Sequence, residues 1–254
     1  MLVLGVDIGG SAIKVAPVDV LTGKLVSERL RLETPDQLAP VAMAAQLSEA
    51  IRHFSWNGPV GIGFPAALRS GVALTAANIA PDWLNRDVAA LLIEDCPGPV
   101  AIVNDADAAG LAELKFGAGV GEKGVIVLVT IGTGLGSALF VDGHLLPNTE
   151  LGHLYLGGVE AEFFASDAAR IREGLGWDEW SLRLADYLRH LEKLFWPDLL
   201  IIGGGASHYH EKFLPIPGIS TRVVPARLGN DAGIVGAALA ACPDRTNNEG
   251  SNGY

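Results

Sequence analysis

The sequence predicts an α/β protein made of two similar halves around a ligand cleft. Three observations lead there. Short apolar strands alternate with helical stretches along the whole chain, the pattern of mixed α/β layers. A strand, a glycine turn, a second strand and a further turn occur at the start (Leu2 to Val6, Gly9-Gly10-Ser11, Ala12 to Val18, Thr22-Gly23) and again near the middle (Val125 to Ile131, Gly132-Thr133-Gly134-Leu135-Gly136, Ser137 to Val141, Asp142-Gly143). Ile8 and Ile131 take equivalent places in the two copies, an offset of 123 residues in a chain of 254, which suggests a duplicated architecture. Two unrelated β-meanders would give the same signal, and the repeat alone does not separate the readings.

Each element follows from local chemistry. Leu2 to Val6 is an apolar run broken by glycine, Ala12 to Val18 resumes it, and Lys24 to Leu32 follows as a third strand. Asp36 to Phe54 is helical in composition, with Pro40 in a first turn where a missing N–H costs nothing. Val60 to Phe64 and Val100 to Val103 are short apolar strands, each preceded by Gly-Pro. Between them Asn85 can cap a helix running to about Asp95. Trp177 to Trp196 is the clearest amphipathic helix, with Leu184, Leu188, Leu191 and Phe195 at helical spacing, and Pro197 stops it. Leu199 to Ile202 is a buried strand ending in Gly203-Gly204-Gly205, and Asn230 or Asp231 can cap a last helix to Ala241. The expected division is a small N-terminal α/β domain over 1–112, with the helix 231–241 packing back on it, and a larger α/β domain over 113–230. Residues 243–254 have nothing to bury and read as a loose tail.

Composition narrows the function. The charged fraction of 19% and hydrophobic fraction of 49% exclude a disordered chain. No run approaches the ~18 apolar residues of a membrane span, and the first residues lack the basic flank of a signal peptide, so a cytoplasmic protein is expected. Cys96 and Cys242 cannot build a disulfide framework or a cysteine zinc site. The net charge of −11 disfavours general binding to DNA or anionic membranes, so a polyanionic ligand has to be captured locally. The 32 glycines are about 13% of the chain against a typical ~7%, which makes their placement the next question.

Three glycine clusters follow directly on apolar strands: Asp7-Ile8-Gly9-Gly10-Ser11, Thr130 to Ser137, and Gly203-Gly204-Gly205-Ala206-Ser207. Glycine lets backbone N–H groups approach a ligand closely, which holds phosphate without many cations. A Walker A loop needs Gly-Lys followed by Ser or Thr, and none occurs; a dinucleotide fingerprint opens a helix, whereas Gly132 to Gly136 opens a strand. Any one cluster reads more readily as a tight turn. Three at strand ends, two of them carrying hydroxyls, favour phosphate.

The segment Val103-Asn104-Asp105-Ala106-Asp107 places two acids where a buried strand meets a helix. Either could be an N-cap. Phosphoryl transfer to a hydroxyl needs a carboxylate to accept the proton, and Asp105 is the acid nearest the strand end. Glu150 and His153 stand three apart, with Glu162 nine residues further on. A metal could use them, but a lone His without Cys makes a thin zinc site, and recognition of vicinal hydroxyls suits these groups better. Asn78 and Trp83 offer an amide and an apolar ring, a pairing common at sugars; Trp83 reads equally well as core.

At these residues the sequence resembles the ROK family of sugar kinases in the actin-like ATPase superfamily, over Val3 to about Ala241, and within it the branch of polyphosphate glucokinases. Asp7 to Lys14 is similar to the family's first phosphate motif, Thr130 to Ser137 to its second, and Gly203 to Ser207 to its distal donor loop. The resemblance implies donor contacts from Asp7, Gly9, Gly10, Ser11 and Lys14, from Thr130, Gly132, Thr133 and Gly134, and from Gly204 and Gly205, with Asp7 acting on Mg2+ indirectly. It implies that Asp105 is the base and that Asn78, Asn104, Glu150, His153 and Glu162 hold the sugar. The implied fold is the actin-like, ribonuclease H-like one, with two domains around the cleft.

Three departures refine this. The zinc-binding cysteine cluster common in the family is absent, as in the branch resembled, so no zinc is expected. No helix-turn-helix precedes the first strand, so repression of DNA is not expected. Where polyphosphate users tend to carry basic residues, this chain has Phe163-Phe164 and His208-Tyr209, with Arg170, Arg172 and Lys212 nearby, which leaves polyphosphate, ATP or both as donor. The expectation is a cytoplasmic, Mg2+-dependent kinase acting on the 6-hydroxyl of glucose, without membrane partners. The alternatives are another hexose, such as mannose or fructose, or a non-catalytic sugar-binding regulator. The family usually forms a homodimer, which the Trp177 to Trp196 stripe could support; packing inside one subunit explains the stripe as well.

Overall fold

The computed structural model describes residues 1–10, 12–34, 39–76, 79–93, 96 and 98–242. The tail expected over 243–254 and the expected helix start at Asp36 lie outside them. In the first half, β1 (Leu2–Ile8) and β2 (Ala12–Asp19) form an antiparallel hairpin across the first glycine turn, and β3 (Lys24–Leu25) and β4 (Leu30–Glu33) both pair with the other edge of β2. The single strand expected over Lys24 to Leu32 is therefore split. Its break faces Pro17, whose carbonyl accepts from the Val26 N–H at 3.0 Å but which has no N–H of its own to give that edge.

After α1 (Pro40–His53), β5 (Val60–Phe64) returns parallel to β1. The hairpin of β6 (Leu68–Arg69) and β7 (Val72–Ala73), then α2 (Val88–Ile93), lead to β8 (Val100–Asn104), parallel to β5. α3 (Asp105–Phe116) follows it without a break.

The second half repeats this plan. β9 (Val125–Ile131), β10 (Leu135–Val141) and β11 (His144–Leu146) run as successive antiparallel hairpins, followed by the short ribbon of β12 (Tyr155–Leu156) and β13 (Val159–Glu160). α4 (Ala161–Ala165), α5 (Asp167–Glu173) and α6 (Trp177–Phe195) cross to β14 (Leu199–Gly203), parallel to β9; β15 (Arg222–Pro225) lies parallel to β14, and α7 (Ala232–Ala240) closes the described chain. The sheet orders are β3-β2-β1-β5-β8, with β4 beside β2, and β11-β10-β9-β14-β15. The offset seen in the sequence thus corresponds to a repeated strand succession, with α3 and α7 each following the last strand of its sheet.

Both sheets are covered on both faces, which is why their central strands read as continuous apolar runs. Leu4, Val6 and Ile8 meet Met43 and Leu47 of α1, while Val3, Ala16 and Val18 meet Ile234 and Val235 of α7. Val127, Val129 and Ile131 meet Leu184, Leu188 and Leu191 of α6, while Ile126 and Leu128 meet Ala109, Leu111 and Leu114 of α3. The α6 stripe is consumed by this subunit's own core. α3 and α7 form the middle layer, and they approach closely because glycine stands at the contacts. A Cβ at Gly236 would overlap the Ala108 carbonyl, and Cβ atoms at Gly5 and Gly61 would overlap the carbonyls of Ile234 and Ala237.

Local ends differ from expectation in three places. Asn85 does not cap α2; it takes φ +61°, and Asp87 accepts the Ala90 N–H at 2.9 Å instead. Neither Asn230 nor Asp231 caps α7 through its side chain, since Asp231 pairs with Arg29 at 2.8 Å and a short 3-10 turn over Gly229–Asp231 leads into the helix. Trp83 is fully buried edge-on against Phe64, with ring centroids 4.9 Å apart, so of its two readings the core one holds. Among the described residues no helix is long and apolar enough to cross a membrane.

The middle layer yields a stability prediction. Gly236→Ala must push α7 off α3 and is expected to lose at least the ~1–3 kcal/mol of an overpacked core. Gly176→Ala, where a Cβ meets nothing within 4 Å, is expected to lose only the ~0.5–1 kcal/mol of a poorer N-cap for α6. Urea unfolding compares them; equal stabilities would contradict the packing argument.

Candidate active site

β1, β9 and β14 run into the three glycine turns, and the turns converge on one cleft of about 430 Å³ between the two sheets. From the first turn come Asp7, Gly9, Gly10 and Lys14. The second turn contributes Thr130, Gly132, Thr133 and Gly134, and the third Gly204 and Gly205. The opposite wall carries Asn104 and Asp105, with Glu150, His153 and Glu162 beside them. Ser11 and Asn78 lie outside the described residues. Every other residue expected at the site lines this one cleft.

The turns support one another. Gly204 adopts φ +73° with its backbone against Ile131; a Cβ there would stand 2.5 Å from the Ile131 N and O atoms, so both conformation and space demand glycine. The Gly132 N–H donates to the Gly134 carbonyl at 3.0 Å, closing the second turn as a tight hairpin. Lys14 places its ammonium 3.0 Å from one oxygen of Asp7, and Gly233 at the start of α7 leaves room for that carboxylate. Asp7, Lys14 and the backbone of three turns make up this end of the cleft, an arrangement that could hold an anion locally in a protein whose overall charge is negative.

The cap at the start of α3 is Asn104, not either aspartate. Its side-chain oxygen accepts the N–H groups of Ala106 at 2.9 Å and Asp107 at 3.1 Å, while its amide donates to the Ala66 carbonyl at 3.2 Å. Asp105 is thereby held as the first residue of α3, with one oxygen accepting from the Ala106 N–H at 2.8 Å. Burial, and then the negative charge of Asp7, push the Asp105 carboxyl up to about 7. Asp107 has no exposed surface and accepts from the Asn148 N–H at 2.8 Å, while its other oxygen is buried without a partner among the described residues. Burial raises its carboxyl to about 7 as well.

Beside Asn104 and Asp105, a 3-10 turn over Leu151–His153 carries His153 beside Glu150, Nε2 to carboxylate 3.8 Å. The ring's other nitrogen lies 3.0 Å from Glu160 and 3.9 Å from Glu162. Burial raises the Glu150 carboxyl, with the charge of Glu162 adding to it and His153 opposing. The Glu160 hydrogen bond is the main cause of a raised His153, helped by the charges of Glu162 and Glu150. His153, Glu160 and Glu162 offer ligand atoms within 4.8 Å of one another, a spacing that could hold a cation. The His153–Glu160 hydrogen bond also occupies that ring nitrogen without one.

Glu160 escaped the sequence reading, as did Asp107 and Asn148 as partners. Glu160 reaches His153 because the Gly157-Gly158 turn, at φ +60° and +92°, folds β12 onto β13 in register Tyr155 opposite Glu160. A Gly-Gly pair between short strands is a hairpin signal that would have found the ribbon, though not its target.

A duplicated α/β fold of this kind, with three glycine turns at one end of the cleft and a half-buried carboxylate beside polar groups at the other, fits a small-molecule kinase of the actin-like ATPase class. The chain belongs to the ROK family, whose profile matches residues 3–170. It is 43% identical over 243 residues to a polyphosphate glucokinase of Mycobacterium tuberculosis, covering 95% of this chain and 92% of that one. The crystal structure of an inorganic polyphosphate/ATP-glucomannokinase from Arthrobacter sp. strain KM superposes with a TM-score of 0.91 at 46% identity, over 94% of this chain and 97% of that one. A ROK glucokinase from Streptomyces griseus in complex with glucose and AMPPNP shares the fold, with a TM-score of 0.79 at 24% identity, covering 95% and 99%.

The Glu160 contact predicts a titration. Glu160→Gln keeps an acceptor but removes the charge, so the His153 pKa is expected to fall, read by NMR of the ring protons. Because the pair favours protonated His153, its contribution to stability is present below the unfolded value of about 6.5 and is lost as pH rises through the raised folded value. An unchanged His153 titration would remove the assigned cause.

Proposed function

We propose that this protein is a glucokinase that moves the terminal phosphoryl group of polyphosphate or ATP onto the 6-hydroxyl of glucose. The observation that carries the reading is Asp105, held by the Asn104 cap at the start of α3, in the same cleft as three glycine turns and the Glu150–His153–Glu162 wall. The names of the Mycobacterium and Arthrobacter relatives support the acceptor and the donor.

In this reading Glu150, His153 and Glu162, with Asn104 and Asn78, engage the sugar hydroxyls and bring the 6-hydroxyl to Asp105. Asp105 accepts its proton as the oxygen bonds to phosphorus and the bridging bond of the donor breaks. A base near pH 7 is matched to that task, since it is ionised when needed yet basic enough to take a proton. The backbone at Gly9-Gly10, Gly132 to Gly134 and Gly204-Gly205, apart from the Gly9 and Gly132 N–H groups that close their own turns, holds the donor together with Lys14, Thr130, Thr133 and Ser11.

The acidic end of β1 suits Mg2+, a hard cation that keeps several waters and takes one or two carboxylates plus donor phosphates; Asp7 is the residue to hold it, indirectly. When bound, the ion neutralises charge developing on the donor. No role for zinc is proposed.

The protein would work in the cytoplasm as a homodimer, with neither DNA nor membrane as partner. The α6 stripe is buried in its own subunit and so lends the homodimer no support. Mannose is the second acceptor to weigh, since the Arthrobacter enzyme is named for both hexoses.

Two measurements test the base. Asp105→Asn is expected to lower kcat by about 10²–10⁴ with the fold intact. In the parent, kcat/KM is expected to rise with pH through about 7 as Asp105 ionises. Near-parental turnover in the variant, or an acid limb that survives it unchanged, would assign the proton to another group.

A further inference from the structure

Asn148 ties together three elements that surround the acceptor wall. Its side-chain oxygen accepts the Leu68 N–H at 2.7 Å and its amide donates to the Leu68 carbonyl at 2.8 Å, so the carboxamide pairs with the β6 backbone as a neighbouring strand would. The two bonds together fix which end of the amide is oxygen. Its own N–H donates to Asp107 at 2.8 Å. To do this it adopts φ +60°, a conformation that Asn tolerates better than most residues.

The positions along the chain give the contact its meaning. Asp107 stands two residues after Asp105 on α3, and Asn148 two residues before Glu150. The bond between them therefore joins the segment carrying the base to the segment carrying the acceptor carboxylate. From the other side, buried Ser137 of β10 donates to the Thr149 carbonyl at 2.6 Å and accepts the Leu151 N–H at 3.0 Å. Glu150 is thus bracketed, with Ser137 fixing it to the second sheet and Asn148 fixing it to α3 and to the first half.

We propose that Asn148 is a positioning residue that registers the acceptor wall against the base, its carboxamide clasping the Glu150 segment to the β6–β7 hairpin while its backbone N–H holds the same segment to Asp107 of α3. The proposal rests on the sugar-kinase reading above, because registration matters only if Glu150 holds what Asp105 deprotonates. A displacement of about 1 Å at a reacting centre can cost about 10²-fold in rate. None of the Asn148 bonds involves the donor turns, so the donor end is expected to be indifferent to the clasp.

The test is Asn148→Gly, which keeps the left-handed backbone and its N–H to Asp107 and removes only the carboxamide's hold on β6, with Asn148→Asp as a second variant that keeps an acceptor for the Leu68 N–H and loses the donor to its carbonyl. Steady-state kinetics with glucose and with polyphosphate or ATP are expected to show kcat/KM for the sugar falling about 10–100-fold in Asn148→Gly and less in Asn148→Asp. The donor KM should stay within about twofold in both. Sugar constants within twofold of the parent in both variants would overturn the clasp, and so would a donor KM that rises in parallel with the sugar effect, since the loss would then be general. A parent protein that phosphorylates no hexose would instead remove the kinase reading beneath it.

Discussion

The contact on which the rest of this structure depends is the crossing of α3 and α7 between the two sheets. Gly236 lets α7 lie against the Ala108 carbonyl, and Gly5 and Gly61 let the same helix lie against β1 and β5. Close approach of backbones replaces the side-chain layer that would otherwise keep them apart, and α7 is apolar all round because it is enclosed. Everything chemical is placed by this crossing. Asp105 begins α3, Gly233 at the start of α7 makes room for Asp7, and both carboxylates enter one cleft, where the charge of one raises the other.

The glycines therefore do two distinct jobs. Some remove bulk where helices and strands meet; others end strands in turns that line the cleft. The second set answers the problem posed by a net charge of −11. A chain this acidic gains little from long-range attraction to a polyanion, but backbone dipoles and Lys14 act at contact distance, where screening is weak. The acceptor end follows the opposite rule. Glu150, Glu160 and Glu162 surround His153, a cluster able to accept and donate to hydroxyls and poorly suited to phosphate.

Much of this was legible in the sequence because it is local. Apolar runs ending in glycine located β1, β9 and β14, a preceding Gly-Pro marked β5, the spacing of Leu184, Leu188 and Leu191 marked α6, and the Ile8–Ile131 offset foretold the repeated sheet. The grouping of the three turns with Asp105, Glu150, His153 and Glu162 was also anticipated, through the resemblance rather than through periodicity. What escaped was decided by partners distant in the chain. Asn104 outcompetes two aspartates for the cap because its amide also reaches Ala66, and Trp83 is claimed by Phe64. Pro17 divides a strand that begins several residues later. Asn148 and Glu160 act only through contacts that spacing does not reveal.

The central claim is that one cleft holds a hexose against Asp105 and a phosphoryl donor against the glycine turns. Its most direct measurement is the initial rate of glucose 6-phosphate formation by the purified protein, with Mg2+ and either polyphosphate or ATP, the position of the phosphate being read by NMR of the product. The account predicts product from at least one donor, with the phosphate on the 6-oxygen. No phosphorylated glucose with either donor, or phosphate on another oxygen, would contradict it.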